Sequence, residues 1–256
     1  MNFPETARVI YDHNPLVEVA CQVSFPRLLA IDERIPSDFQ TLMGAEYPFV
    51  ETREVVQFSF GIANNAVPSK RILYDFITED RRYTVTLGSD SIAVSTRKYE
   101  RWELFSVHLK NALHAFTKTY SSPMFTRIGL RYIDIISRQD LGLENTKWSE
   151  LIKNSALGLL ADNDVQIEDV VELSAATVLR LDEAGKVVIR TALGKSERTG
   201  DETIFVVDSD FFQEGPVKGM NDAIEICSKF NQSAGKAFRW IIHDRLHTAL
   251  GPQAPN

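Results

Sequence analysis

The stretch that most constrains the fold is residues 125–137, FTRIGLRYIDIIS. Successive residues of a β-strand point to opposite faces of a sheet. If this stretch is a strand, both of its faces are largely apolar, and such strands are typical of the interior of a sheet. The pattern therefore predicts a central strand that joins two parts of one sheet.

This strand holds four candidate ligand-binding residues, namely Arg127, Arg131, Tyr132 and Asp134. The two arginines share one face, and Gly129 between them leaves space, whereas the other two candidates fall on the opposite face. An arginine presents a planar fork that suits a phosphate or a carboxylate. The alternative is structural, because buried arginines are usually paired, here with acidic partners such as Glu79 or Asp80 across the sheet.

The rest of the chain alternates between strand and helix patterns. Period-two alternation predicts strands at 15–25, 54–63, 70–80, 82–90, 91–99, 165–182, 185–195 and 203–213. Apolar residues at helical spacing predict helices at 36–48, 100–120, 147–161 and 219–251. Turn-forming residues predict turns at 64–69, 182–186 and 196–202.

The order of these elements predicts an α+β fold with two halves of the α-βββ-α type, residues 1–140 and 141–256, in one compact pseudo-duplicated unit. Mostly antiparallel sheets would carry long amphipathic helices packed on one face. The order is not a βαβ alternation, which argues against a doubly wound nucleotide-binding sheet.

Charge and hydropathy exclude several classes of protein. The formal net charge of −7 over 256 residues argues against a protein that binds nucleic acid or a membrane surface with its whole molecule, and it leaves a local basic patch open. No window approaches the roughly 20 apolar residues of a membrane span, and the N-terminus lacks the pattern of a secretory signal. We therefore expect a cytoplasmic protein.

Cys21 and Cys227 each lie in an apolar run, which predicts buried free thiols and no disulfide framework.

Two further segments resemble functional motifs. In HDRLH, residues 243–247, His243 and His247 stand at the spacing of two metal ligands on one helical turn. No third ligand is visible, and Asp244 replaces the glutamate of zinc peptidases, so we predict no metal. Trp240 lies on the same helix face as the histidines, off the apolar stripe. These three residues predict a protein interface; the alternative is that the other half of the molecule covers Trp240.

No cofactor motif is recognisable. The chain lacks a Gly-x-Ser-x-Gly nucleophile motif and a glycine-rich dinucleotide fingerprint. The Gly194-Lys195-Ser196 triplet lacks the first glycine of a phosphate-binding loop, because Ile189 occupies that position. We therefore expect no cofactor.

Several segments together resemble a sporadically distributed prokaryotic protein family of about this length. They are NPLVEVACQVSFP, WELFSVHLKNAL and RIGLRYIDII, the last being the most specific. After Arg-Tyr-Ile the family usually has Asn, where this chain has Asp134. The resemblance implies no activity and no catalytic residue. Its patchy distribution implies a defence or toxin–antitoxin-like module.

The sequence leaves three functions open. The first is a non-catalytic interaction or regulatory protein with a protein partner, encoded nearby, or with a second copy as a homodimer. The second is a protein that binds a small anionic ligand in a pocket between the two halves. The third is an enzyme with an unrecognised Asp/Arg/His site.

Overall fold

The computed structural model describes residues 1–60, 66–121, 124–162, 164–182, 185–196 and 202–254. It describes the side chains of these residues except those within 56–69. Its strands are β1 (Ile10–Tyr11), β2 (Leu16–Ser24), β3 (Phe49–Phe60), β4 (Ala66–Ile77), β5 (Tyr83–Leu87), β6 (Ser91–Thr96), β7 (Phe125–Ile136), β8 (Ser174–Arg180), β9 (Lys186–Lys195), β10 (Thr203–Val217) and β11 (Pro252–Gln253). Its α-helices are α1 (Leu29–Glu33), α2 (Ser37–Met43), α3 (Trp102–Thr119), α4 (Trp148–Leu151), α5 (Asn154–Leu157), α6 (Met220–Ile241) and α7 (Asp244–Ala249).

Nine of these strands form one antiparallel sheet in the order β3-β4-β5-β6-β2-β7-β10-β9-β8. The strand predicted from residues 125–137 is β7, which pairs with β2 on one side and with β10 on the other. The predicted central strand is thereby confirmed, and so is the α+β class. The strands predicted at 54–63, 70–80, 82–90 and 91–99 form the expected meander of β3 to β6.

The two long helices, α3 and α6, contact each other and pack on one face of the sheet. The core lies between them and alternate residues of β2, β7 and β10. Its fully buried members include Val19, Leu130, Phe205, Leu113 and Cys227. We call the opposite side of the sheet the open face. The alternation of buried and exposed residues along β2 and β7 shows which set of side chains lies on each side.

The strands follow the same order from the centre of the sheet to each of its two edges. The first series, from the centre to one edge, is β2-β6-β5-β4-β3, and the second, from the centre to the other edge, is β7-β10-β9-β8. Along the chain each series begins with its central strand, β2 or β7, continues with short helices and hairpin-connected strands, and ends with a long helix. The second series begins with β7, within the predicted first half. The sheet continues across residue 140, so the division there stays a prediction.

Two predicted helices are interrupted in the structure. The helix predicted at 147–161 is divided into α4, α5 and a 3₁₀ turn at Gly158–Ala161. The helix predicted at 219–251 ends at Ile241, and a separate helix, α7, follows. The predicted turns at 64–69, 182–186 and 196–202 fall partly outside the described residues.

The N-terminal segment, residues 1–9, lies on the helix side of the molecule. The ring centroid of Phe3 is 6.5 Å from that of Phe211 on β10 and 5.6 Å from that of Trp240 on α6. The segment leads into β1, which pairs with β11 at the other end of the chain. Among the described helices, none has the length and apolar character needed to cross a membrane.

Candidate functional site

The four candidates on β7 are divided between the two faces of the sheet. Arg127 and Arg131 lie on the open face, whereas Tyr132 and Asp134 point into the core beneath the helices. Alternation along the strand dictates this division. The four residues therefore do not form one cluster.

Arg131 is held by a carboxylate of the neighbouring strand. It donates two hydrogen bonds to Asp208, from Nε to Oδ1 at 2.7 Å and from Nη2 to Oδ2 at 2.9 Å. Arg190 on β9 donates to the same carboxylate, with 3.1 Å between Nη1 and Oδ2. The arginine is thus in a structural ion pair, and its partner lies on β10 instead of at Glu79 or Asp80.

Arg127 is fixed by three contacts on the same face. Its Nη2 donates to Oδ2 of Asp210 at 2.9 Å, and its guanidinium lies 4.8 Å from the ring centroid of Phe212. The guanidinium also lies over Gly129, where an added Cβ would stand 3.0 Å from Cζ of Arg127. The space left by the glycine is therefore filled by the arginine itself.

Tyr132 takes part in a buried polar contact between the sheet and α6. Its hydroxyl donates to Oδ1 of Asn231 at 2.9 Å, and the hydroxyl of Tyr99 donates to the same oxygen at 3.3 Å. Burial raises the pKa of the Tyr132 hydroxyl well above its usual range. Tyr132 thus helps to fix α6 on the sheet.

Asp134 is 4% exposed, and its carboxyl group has no hydrogen-bond or ion-pair partner among the described residues. Burial alone raises the pKa of this group to about 8. The carboxyl is therefore largely protonated at neutral pH. Tyr11 lies close enough for the two groups to interact electrostatically, although its own burial is the main reason that its pKa rises to about 12.

The HDRLH segment does not lie on one continuous helix. Ile242 has an extended backbone and forms an antiparallel bridge with Ile152. Two backbone hydrogen bonds flank the bridge, from Lys153 N to Ile241 O and from His243 N to Leu151 O, both 2.8 Å. The bridge ends α6, and His243 becomes the N-cap of α7.

The two histidines consequently have different environments. His247 is on α7, and its Nδ1 lies 2.8 Å from the hydroxyl of Tyr11. Burial, followed by the nearby charge of Arg239, lowers the pKa of His247. His243 instead lines a cleft on the surface. The described residues contain no group of three or more potential metal ligands.

The cleft lies between the N-terminal segment and the end of α6, and its volume is about 320 Å³. We call it the N-terminal cleft. Its lining consists of Pro4, Glu5, Thr6, Lys153, Lys236, Arg239, Trp240, Ile242, His243 and Asp244. It therefore brings together two of the three predicted interface residues, Trp240 and His243, and Trp240 is also partly covered by Phe3.

Basic side chains predominate in this cleft. Lys236 pairs with Glu5, with 2.7 Å between Nζ and Oε1, and Arg239 pairs with Asp244. Arg239 also donates to the carbonyl oxygen of Ile242 at 3.2 Å. Lys153 lines the same cleft, and its charge, after that of Arg239, helps to lower the pKa of the Asp244 carboxyl. Three permanent cations thus face two carboxylates.

The sequence pattern reveals only part of this site. Lys236, Trp240 and His243 recur at helical spacing, so the helix pattern places them on one side. Lys153 and Glu5 carry no such signal, because they arrive from other parts of the chain. The bridge between Ile152 and Ile242 is the contact that brings Lys153 to the end of α6.

Comparison with known proteins adds no assignment. No protein-family model matches the chain, and no curated protein matches it. The family resemblance of residues 127–136 stays a prediction.

Proposed function

We propose that the protein is a non-catalytic regulatory protein that binds a small anionic ligand in the N-terminal cleft. The observation that carries the proposal is the convergence of Lys153, Lys236 and Arg239 on one cleft of a chain whose net charge is −7. Arginine and lysine together suit a phosphate or a carboxylate group. The ligand would be attracted to this cleft against the overall charge of the protein.

The two carboxylates in the cleft are well placed to be replaced by a ligand. The side chains of Glu5 and Asp244 are 84% and 89% exposed, whereas those of their partners Lys236 and Arg239 are 29% and 24% exposed. Exposed ion pairs contribute little to stability. An anion inside the cleft would therefore replace the two carboxylates as the partner of Lys236 and Arg239 at a small cost in free energy.

Trp240 indicates the remaining chemistry of the ligand. Its indole forms part of the lining, next to the cations. Ligand pockets commonly combine apolar or aromatic walls with a few placed polar groups, and this volume lies at the small end of their range. We therefore propose a small metabolite that carries a phosphate or carboxylate on an apolar or aromatic body.

Isothermal titration calorimetry with inorganic phosphate, citrate and adenosine monophosphate tests this proposal. We expect at least one of these anions to bind, and Lys236→Gln to weaken that binding about tenfold, because one charge-assisted hydrogen bond is lost. Glu5→Gln should strengthen binding, since it removes the carboxylate that competes for Lys236. The opposite signs of these two effects are specific to an anion in this cleft.

Lys229→Gln is the matched control. Lys229 lies on the same helix, and its Nζ is 3.2 Å from Oε1 of Glu225, away from the cleft lining. The variant should bind as the unmodified protein does. Equal changes for Lys229→Gln and Lys236→Gln, or no binding of any of the three anions, would contradict the proposal.

A second candidate function is association with another protein through β8. This strand forms one edge of the sheet, all its residues except Leu179 are exposed, and it carries no charge before Arg180. An exposed, uncharged edge strand is a template for pairing with a further strand. The occupant would be a partner protein or a second copy of this chain.

Native mass spectrometry of the protein purified from its source cells tests the second candidate. We expect a complex that Val178→Lys disrupts, because a charge on an edge strand opposes strand pairing. Val55→Lys, on the edge strand at the other end of the sheet, serves as the control. A monomer at every concentration, with no co-purified protein, would contradict this candidate. A defence role stays a prediction from the family resemblance.

A further inference from the structure

Cys21 and Cys227 meet in the core, although 206 positions separate them in the chain. Cys21 lies on β2 and Cys227 on α6, and their Sγ atoms are 3.4 Å apart. Both residues are fully buried free thiols, as the sequence predicts. The two sulfur atoms are thus direct neighbours across the boundary between the sheet and the helix layer.

This arrangement is close to that of a disulfide. The sulfur atoms of a disulfide are about 2.05 Å apart, so the two thiols need to approach each other by only about 1.4 Å. A contact of this kind between residues so distant in the sequence is created by the fold alone.

We infer that Cys21 and Cys227 form a redox pair that a small hydroperoxide converts into an intramolecular disulfide. The disulfide would tie a central strand of the sheet to the last long helix of the chain. This inference is independent of ligand binding in the N-terminal cleft.

The reaction balances with one hydroperoxide per disulfide. One thiol, as its thiolate, attacks an oxygen of hydrogen peroxide; the O–O bond breaks, and a sulfenic acid and water form. The second sulfur then attacks the sulfenic sulfur; the S–S bond forms, the S–O bond breaks, and the released hydroxide takes the thiol proton as a second water. The two thiols are oxidised, and the peroxide is reduced to two waters.

The environment makes this oxidation slow. The hydrogen bond with Cys227 and complete burial raise the pKa of the Cys21 thiol well above its usual range. Only the thiolate is an effective nucleophile. The reaction therefore depends on transient opening of α6 from the sheet, and the disulfide, once formed, is shielded from reductants by the same burial.

The experiment treats the reduced full-length protein with hydrogen peroxide, with and without a low concentration of urea. Free thiols are then alkylated under denaturing conditions, and the peptides are mapped by mass spectrometry. We expect a crosslinked pair of peptides containing Cys21 and Cys227, a faster reaction in urea, and a melting temperature raised by roughly 5–10 °C. A reducing agent should reverse the increase when it is applied in urea, which opens the buried pair, and only slowly without urea.

Cys21→Ala and Cys227→Ala are the controls, and peroxide should leave the melting temperature of each unchanged. Peptide mapping of the unmodified protein does not depend on either variant. It therefore tests the inference even if both variants fold poorly. Two thiols that remain fully alkylatable, oxidation to sulfinic acids without a crosslink, or disulfides only between chains would each overturn the inference.

Discussion

At the scale of the single residue, the absence of a side chain at Gly129 shapes the open face of the sheet. The guanidinium of Arg127 lies over this glycine, pairs with Asp210 and contacts the ring of Phe212. The glycine and the arginine are two positions apart on one face, so the sequence itself suggests that they are linked. Which carboxylate receives the arginine depends on the register between β7 and β10.

Gly129→Ala should therefore destabilise the protein by up to about 1 kcal/mol, because the new Cβ displaces Arg127 from Asp210 and Phe212 and the better strand propensity of alanine offsets part of that loss. In an Arg127→Ala background the same substitution should be neutral or stabilising by up to about 1 kcal/mol, since alanine is better than glycine within a strand. Urea denaturation of the four proteins measures both effects. The same loss in both backgrounds would show that the arginine is not displaced.

The carboxyl group of Asp134 is buried, and its burial raises the pH at which it loses its proton. Its carboxyl group keeps a proton up to about pH 8 in the folded protein, whereas an unfolded aspartate releases it near pH 4. Between these values unfolding releases a proton, so a rise in pH favours the unfolded state. The stabilising effect of the protonated form is complete below about pH 4 and is lost as the pH rises to about 8.

We therefore expect the free energy of unfolding to fall, relative to that of Asp134→Asn, by about 1.4 kcal/mol per pH unit between pH 5 and pH 7. Asparagine has nearly the shape of a protonated aspartate and does not titrate, so the variant removes only this group's contribution. Urea denaturation of both proteins at pH 5, 6 and 7 checks the difference. Parallel curves would mean that Asp134 is ionised or solvated in the folded state.

At the level of helices and strands, the spacing of apolar residues predicts whether an element is a helix or a strand better than it predicts the residues at which that element begins and ends. Apolar spacing predicts a helix at 100–120, and α3 spans Trp102–Thr119. The pattern of α6 continues through HDRLH, yet the helix ends at Ile241. A bridge between Ile242 and Ile152 replaces the next helical hydrogen bonds. A periodic pattern contains no information about that competing partner.

The break in the last helix matters for the candidate site. It separates His247 from His243, so that His247 reaches Tyr11 while His243 faces the N-terminal cleft. It also turns the backbone so that Lys153 lies across from Lys236 and Arg239. The helix pattern placed Lys236, Trp240 and His243 on one side, but it could not supply the other wall of the cleft.

At the scale of the whole molecule, the single sheet makes the two predicted halves depend on each other. The pair β7–β10 joins the strands of residues 1–140 to those of residues 141–256, and the contact between α3 and α6 joins the helices. Cutting the chain at residue 140 would leave β7 with the first half and would expose the edge of β10. A hydrophobic edge without a partner is prone to aggregation.

We expect a fragment of residues 141–256 to lack cooperative unfolding by itself, and to regain it when mixed with a fragment of residues 1–140. Circular dichroism during urea denaturation, with each fragment alone and with the mixture, measures this. The intact chain should unfold in one transition. A fragment of residues 141–256 that folds alone would mean that the halves are independent domains.

The pattern of residues along the chain predicts the kinds of element in this protein, the central place of β7, the division of its side chains between two faces, and the burial of both cysteines. Each of these follows from the period and composition of consecutive residues. Three contacts follow from the folded chain alone: Arg131 pairs with Asp208, Cys21 touches Cys227, and Lys153 completes a cationic cleft. Those contacts join residues far apart in the chain. They depend on strand register and on the docking of helices, which are set by how all apolar faces can be buried together.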